Sequence, residues 1–399
     1  MRQLIAILLS LGLGLFLADA VISLADDSLI LFFNFHVLAG LRGIIFFFTF
    51  LMAVLIYGLM GFTPMIPKRL FLPVTLFSPA AFLAVIPFVI YCYSRIQQVA
   101  WIVSFGQVIC ALGILYLVEG GFKFHWRLFP EKRLEPRSFS WWNLLVFLLM
   151  NAFVLLPVVI FYLVFCSALG VDHFSDGFMK LRPGGLSVQM RKYVRDDGKT
   201  IQLFPMSHIA ESDFYRKVSQ SFPTNSIILL EGVTDTKNLL TNKISYKRMA
   251  TSLGLAEQQK VFQPSQGEQV RADVDVDQFA SSTIDLLNFV MLIHSKGLSA
   301  ENLSKLLQYP APPGFEDQLL DDLLRKRNRH LLEEIHSRLS QTDHIIVPWG
   351  VAHMPEIAKE IQKSGFRLEE TSEYMNIRFG SDKTKNNHTG ENGDFEKTK

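Results

Sequence analysis

Apolar residues in the first part of the chain run in unbroken stretches of roughly 20, the length a helix needs to cross a bilayer core. The stretches at 4–24, 43–62, 70–94, 99–122 and 140–170 predict five transmembrane helices, and after Gly170 no such run recurs. A short apolar segment at 26–42, headed by Asp26 and Asp27, reads as an interfacial helix. Asp19 and Glu119 fall near predicted helix ends. A side chain reaching the headgroups and an intramembrane proton or ion site both remain open for them. Charged residues are otherwise nearly absent from the helix centres, which argues against a transporter.

From residue 171 onward the pattern changes to short apolar runs alternating with helical stripes. Runs at 186–194 and 200–206 flank Arg195-Asp-Asp-Gly-Lys, a hairpin signal. Further strands are expected at 226–230, 343–349 and, as one or two, across 366–379. Helices are expected at 212–221 with Ser212 as cap, near 245–254, 279–295 and 299–308, then at 316–340 and 354–364, with a Pro-rich break at 310–314. The prediction is therefore an all-α membrane region, residues 1–170, followed by an α/β (α+β) soluble domain, residues 171–379, around a mostly buried central sheet. Residues 380–399, rich in Lys, Asn, Gly and Glu, read as a disordered tail.

Composition agrees with this division. The 399 residues are 49% hydrophobic and include 34 Phe, too apolar for one ordinary soluble domain. With 39 basic and 37 acidic residues the net charge is +2, and no basic face suited to nucleic acid stands out. Cys92, Cys110 and Cys166 all lie in the membrane stretches, so the soluble domain has neither a disulfide framework nor a thiolate zinc site. Arg2, Lys68, Arg69, Lys123, Arg127, Lys132, Arg133 and Arg137 fall on one side of the predicted spans, and only Arg42 and Arg95 on the other. The positive-inside rule then places the N-terminus inside and the soluble domain outside the cytoplasmic membrane. Ala18-Asp-Ala20 offers a signal-peptide cleavage pattern, and cleavage there leaves the remaining four helices in the same orientation.

Three apolar runs of the soluble domain end on a residue that can bind a metal or move a proton: His208, Glu231 and His353. In open α/β sheets, ligands sit just beyond the carboxyl ends of the strands. A histidine at a strand–helix junction stays neutral and ligand-competent near a helix N-terminus; it can equally be a hydrogen-bonded loop residue. A carboxylate directly after a buried strand needs a partner, a metal or solvent. Two imidazoles and a carboxylate match a common catalytic metal shell with one position left for water.

Leu320, Leu324, Leu331, Ile335 and Leu339 form one helical stripe, and Arg327 and Asn328 interrupt it. Arg327 can serve a site, holding a carboxylate or developing oxyanion, or pair with Asp317 or Asp321 on its own helix. Asp273-Val-Asp275-Val-Asp277 suits caps and a solvated strand face better than a calcium loop, because no glycine turn or distal Glu follows. His294, His330, His336 and His344 read as surface or packing residues.

At these positions the chain resembles the TraB/GumN/Tiki family, itself similar to the erythromycin-esterase and ChaN-like proteins. The resemblance is carried by Met206-Ser-His208 with Ile209-Ala-Glu-Ser-Asp-Phe214-Tyr, Leu229-Leu-Glu231-Gly, Arg327-Asn328 and Gly350-Val-Ala-His353-Met-Pro, and covers roughly residues 185–378. Pro205 stands where the first G-x-x-H motif has glycine. The resemblance implies a divalent metal (Mn, Co or Zn) held by His208, His353 and Glu231. Glu231 could alternatively be a general base, Arg327 would stabilise an oxyanion or bind a substrate carboxylate, and Asn328 would orient it. The expected activity is a membrane-anchored hydrolase, a peptidase or esterase, acting outside a bacterial inner membrane. The alternative is a non-catalytic regulator or receptor that captures a peptide or haem; Phe204, Met206, Phe214, Tyr215 and Trp349 suit its apolar lining and suit a core equally well.

Overall fold

The structure, a computed structural model, describes residues 2–119, 128–136, 139–241, 246–296, 304 and 313–380. Of the expected helix at 299–308 only residue 304 is described, and Lys123, Arg127, Arg137 and the tail from 381 lie outside the described residues. The chain divides into two compact units, Met1–Gly170 and Val171–Lys399.

The first unit contains five helices long and apolar enough to cross a membrane: Arg2–Phe33 (α1), Ala39–Phe62 (α2), Lys68–Tyr91 (α3), Tyr93–Val118 (α4) and Trp141–Phe174 (α5). Large apolar side chains stay exposed along α2 and α5, among them Phe47, Phe48, Phe153 and Phe161, as lipid-facing positions should. α3 keeps Pro73, Pro79 and Pro87 inside the helix. In α5 a π-helical turn at Asn151–Leu155 marks where Asn151 Oδ1 accepts a hydrogen bond from the Tyr57 hydroxyl at 2.6 Å.

α1 departs from expectation in one respect. The predicted break after residue 24 does not occur: the helix continues to Phe33, so 26–33 belongs to it and is not a separate interfacial helix. Asp19 therefore sits well inside α1, and Asp19, Ser23, Asp26 and Asp27 are all buried. The expectation of charge-free helix centres fails here.

The second unit is built on a mixed seven-stranded sheet. Its strands are Met179–Arg182 (β1), Gly185–Val194 (β2), Thr200–Met206 (β3), Ser226–Leu230 (β5), Glu268–Arg271 (β7), His344–Gly350 (β8) and Arg367–Arg378 (β9). The order is β1-β2-β3-β8-β5-β7, with β9 also on β2. Ile209–Ala210 (β4) and Ala256–Glu257 (β6) form a separate two-stranded ribbon. β3, β8, β5 and β7 are mutually parallel, and Met206 is in register with Gly350 and Leu230 with Arg271. All four strands thus end along one edge of the sheet. The predicted hairpin forms as β2–β3, with Arg191 opposite Leu203.

The parallel strands read as continuous apolar runs because both faces are covered. Ile227, Leu229, Ile345, Val347 and Trp349 face one core with Leu331, Ile335, Met354 and Ile357. Ile228 and Ile346 face the other, with Phe214, Tyr215 and Val218. The covering helices are Ser212–Gln220 (α6) on one side, and a long helix at 315–338 (α9) with Met354–Lys363 (α10) on the other. Lys247–Leu253 (α7) and Ser281–Lys296 (α8) connect them. Ser212 opens α6, but Glu211 takes the capping position and makes no side-chain cap.

α9 contains a π-helical turn at Asp321–Arg325. One extra residue in a turn rotates the upstream helix by about 100°. Leu331, Ile335 and Leu339 keep their places in the core, whereas Leu320 leaves the predicted stripe and is 48% exposed. The turn also buries Asp322, which accepts hydrogen bonds from Thr283 Oγ1 and Lys326 Nζ.

Candidate functional site

Four parallel strands deliver acidic or imidazole side chains to one sheet edge. Glu231 follows β5, His353 follows β8, His208 follows β3, and Asp273 follows β7. α9 runs past this edge and supplies Arg327 and Asn328. The structure brings Glu231, Arg327, Asn328 and His353 into one network and adds Asp273 and Glu356.

Arg327 sits where an apolar stripe predicts leucine because its fork is filled on the sheet side. Its Nε donates to Asp273 Oδ1 at 3.0 Å, and its Nη2 donates to both Asp273 Oδ2 and Glu231 Oε1 at 2.7 Å. Neither Asp317 nor Asp321 takes it; Arg325 pairs with Asp317 instead. Burial works to lower the Arg327 pKa, but the Asp273 and Glu231 carboxylates outweigh it and hold it above its ordinary value. Asp273 is further fixed by the backbone N–H groups of Gly232 and Val274.

Glu231 is held at its other oxygen by the backbone. Gly350 N donates to Oε2 at 2.5 Å, and a Cβ at this position would lie 3.3 Å from the same oxygen. Glycine in the second G-x-x-H motif therefore lets the carboxylate approach the strand end. Beneath it, the Trp349 indole donates to Leu229 O at 2.9 Å in the core.

Asn328 goes to His353, not to Arg327. Its Nδ2 donates to Glu356 Oε2 at 2.5 Å, and its Oδ1 meets His353 Nδ1 at 2.6 Å. Glu356 only accepts, so the Asn328 amide must turn its nitrogen to Glu356 and its oxygen to the imidazole. His353 therefore carries its proton on Nδ1 and presents a bare lone pair at Nε2, the arrangement by which outer hydrogen bonds set up a ligating imidazole. That Nε2 faces Glu231 Oε1 at 3.6 Å. Two acceptors face each other across this gap.

Burial, and after it the positive charge of Arg327, push the His353 pKa down from 6.5 to about 4. Between those values the unfolded chain binds a proton that the folded one refuses, so acid favours unfolding through that window. Wild type should lose about 3 kcal/mol of stability as pH falls from 6.5 toward 4, and His353→Gln should lack that component. Pulse proteolysis of the full chain across this range checks it, and equal pH slopes in the two proteins would sink the assignment.

His208 stands apart from these direct contacts. It is exposed, and its ring stacks on Tyr246 with centroids 4.7 Å apart and planes 14° from parallel. Burial, and after it the Glu231 charge, raise the Tyr246 pKa. The loop is anchored by the Tyr215 hydroxyl on Ser207 O at 2.6 Å and by Gln258 N on His208 O at 2.9 Å.

The donor chemistry fits a cation in part. Glu231, Asp273 and Glu356 set three carboxylates against the single Arg327 guanidinium. His353 Nε2 and Glu231 Oε1 converge, but among the described residues no group of three or more His, Cys, Asp or Glu is placed to hold a metal ion. Asp275 accepts from Asp277 N at 3.1 Å and from Thr234 Oγ1 at 2.8 Å, the capping role expected of that acidic run. Phe204, Met206, Phe214, Tyr215 and Trp349 are all buried in the core.

Glu356 and Tyr246 carry no mark in the sequence; Asp273, expected as a cap or on a solvated strand face, is instead buried and paired with Arg327. Asp273 obeys the same rule as Glu231, an acid just past a strand. Its strand, β7, is an exposed edge strand with charged Glu268 and Arg271, and it carries no apolar run. Compared with family models, with curated proteins and with solved structures, the chain matches none.

Proposed function

We propose that the second unit is a metal-dependent hydrolase of the TraB/GumN type, a peptidase in class. The observation that carries this reading is the 3.6 Å approach of a lone-pair imidazole nitrogen, His353 Nε2, to a carboxylate oxygen, Glu231 Oε1. Two acceptors at that separation repel unless a proton or cation lies between them, and the surplus of carboxylates over guanidinium favours a cation. His353 and Glu231 would hold a divalent ion (Mn, Co or Zn), with His208 as the third ligand. Such an ion acts as a Lewis acid that activates water and polarises a carbonyl.

The chain's own residues divide the remaining work. Glu356 and Asn328 keep the His353 lone pair directed at the site. Asp273 and Arg327 hold Glu231 at the strand end, and Gly350 N–H fixes its second oxygen. In the alternative role, Glu231 would leave the ion to the imidazoles and take the proton of an attacking water. Arg327 lies close enough to the same atoms to balance negative charge that develops on a carbonyl oxygen.

The five apolar helices anchor this unit in a bacterial cytoplasmic membrane as a multi-pass protein, with the hydrolase outside. Lys68, Arg69, Lys132 and Arg133 on one side of the helices, against Arg42 and Arg95 on the other, support that orientation.

Calorimetric titration of the full chain in detergent with Mn(II), Co(II) and Zn(II) tests the proposal. One site is expected, weakened at least 10- to 100-fold by His353→Gln, since loss of even an outer-sphere partner costs that much. Affinity unchanged by His353→Gln would contradict it. Tight capture of peptide or haem with no metal dependence would favour the non-catalytic regulator.

A further inference from the structure

On α1, residues 19, 23, 26 and 27 are spaced i, i+4, i+7 and i+8, the positions of a helix's inward stripe. In a bundle of apolar helices that stripe should be apolar; here it is Asp19, Ser23, Asp26 and Asp27, each at most 5% exposed. α4 answers with a polar stripe of its own. Gln107 Nε2 donates to Asp19 Oδ2 at 2.8 Å, Gln97 Nε2 donates to Asp27 Oδ1 at 3.4 Å, and Ser104 Oγ donates to Asp27 Oδ2. Trp101 Nε1 donates to Ser28 Oγ at 2.9 Å beside them.

The charges do not balance. α2 contributes one cation, Arg42, whose Nη1 reaches Asp27 Oδ1 at 2.7 Å and Asp26 Oδ2 at 3.2 Å, with Nη2 on Asp27 Oδ2 at 3.4 Å. α4 contributes amides, a hydroxyl and an indole at the seam, and its Arg95, at the helix start, is exposed. The turn at Glu131–Arg133 packs on α1 at its opposite end, where Arg2 Nη2 donates to Leu134 O. Asp27, with the forked guanidinium, a hydroxyl and an amide, is satisfied as a carboxylate. Asp19 has only a neutral amide at one oxygen and Asp26 only the shared arginine. Asp19 Oδ1 and Asp26 Oδ1 are enclosed and take no hydrogen bond from the described residues. An ionised carboxylate with a bare oxygen in an apolar bundle is costly.

We propose that Asp19 and Asp26 are proton-binding sites of a polar seam that runs from the α1–α2 turn to the middle of the helix bundle. A proton on each removes the surplus negative charge and leaves Arg42 and Asp27 as a neutral pair. The seam gives the helices a proton-carrying capacity beyond anchoring, and the proposal rests on their spanning a membrane.

The test is infrared spectroscopy of the full chain in liposomes across neutral pH, with carbonate extraction as the check on insertion. The C=O stretch of neutral carboxylic acids is expected at neutral pH. It should be partly lost in Asp19→Asn and again in Asp26→Asn, and retained in Asp213→Asn on the exposed face of α6. Asparagine keeps the shape of the side chain, and the amide I band reports folding. An inserted wild-type chain without that band overturns the proposal whatever the variants do. A band that appears only when sodium is withdrawn overturns it in favour of a metal cation. A chain extracted by carbonate overturns the membrane reading and the proposal with it.

Discussion

Replacing Arg327 by methionine is expected to cost the second unit about 3–5 kcal/mol, because it breaks a buried ion network by removing the cation that both carboxylates share. The side chains of Arg327 and Glu231 are 13% and 14% exposed and that of Asp273 is fully enclosed, so water cannot take over the lost contacts. Asp273 keeps its two backbone N–H donors and Glu231 keeps Gly350 N, but two carboxylates would face each other without a counter-charge. Adding Asp273→Asn should recover part of the loss, giving a coupling that distant sites do not show. Chemical denaturation of the three variants against wild type measures it. A loss under about 1 kcal/mol would mean that the network behaves like an ordinary surface pair.

Glu231→Gln is expected to lower turnover by roughly 10²–10⁴-fold, the range associated with a positioned general base. The amide keeps the volume of the side chain and can accept from either Arg327 or Gly350, but not from both. A stability cost of about 1–3 kcal/mol follows from the mismatched hydrogen bond, smaller than that of Arg327→Met. The assay is cleavage of an unstructured peptide and of a small ester by the full chain with each divalent metal added. Wild-type turnover that survives in Glu231→Gln would remove Glu231 from the catalytic role. Circular dichroism of both proteins separates lost chemistry from lost folding.

What the residues alone reveal depends on how far burial imprints a period on them. β3, β5 and β8 are legible because strands covered on both faces must be apolar throughout, and each ends on a residue that burial cannot explain. β7 is not legible: an edge strand can be polar, so Glu268 and Arg271 look like loop and Asp273 loses the strand that gives it meaning. The partner of Arg327 goes unread for the same reason. Arg327 and Asn328 stand out correctly as intruders in an apolar stripe, but the π turn at Asp321–Arg325 carries no sequence mark and displaces Leu320 from that stripe. Asn328 contacts His353 and Glu356 across separate elements, a link that spacing along one helix cannot predict. In the first unit the apolar lengths identify five helices. The polar seam of α1 is misread as a helix end because Asp26 and Asp27 interrupt the hydropathy run while the helix itself continues.

The proposed metal-dependent hydrolase requires the lone pair of His353 and the carboxylate of Glu231 to share one cation. Anomalous scattering from crystals of the full chain grown with cobalt(II) measures this directly. The prediction is a peak about 2.0–2.2 Å from both His353 Nε2 and a Glu231 oxygen, the usual ligand distances for imidazole and carboxylate. A map with no peak between those two atoms, or with cobalt bound only elsewhere on the chain, would contradict it.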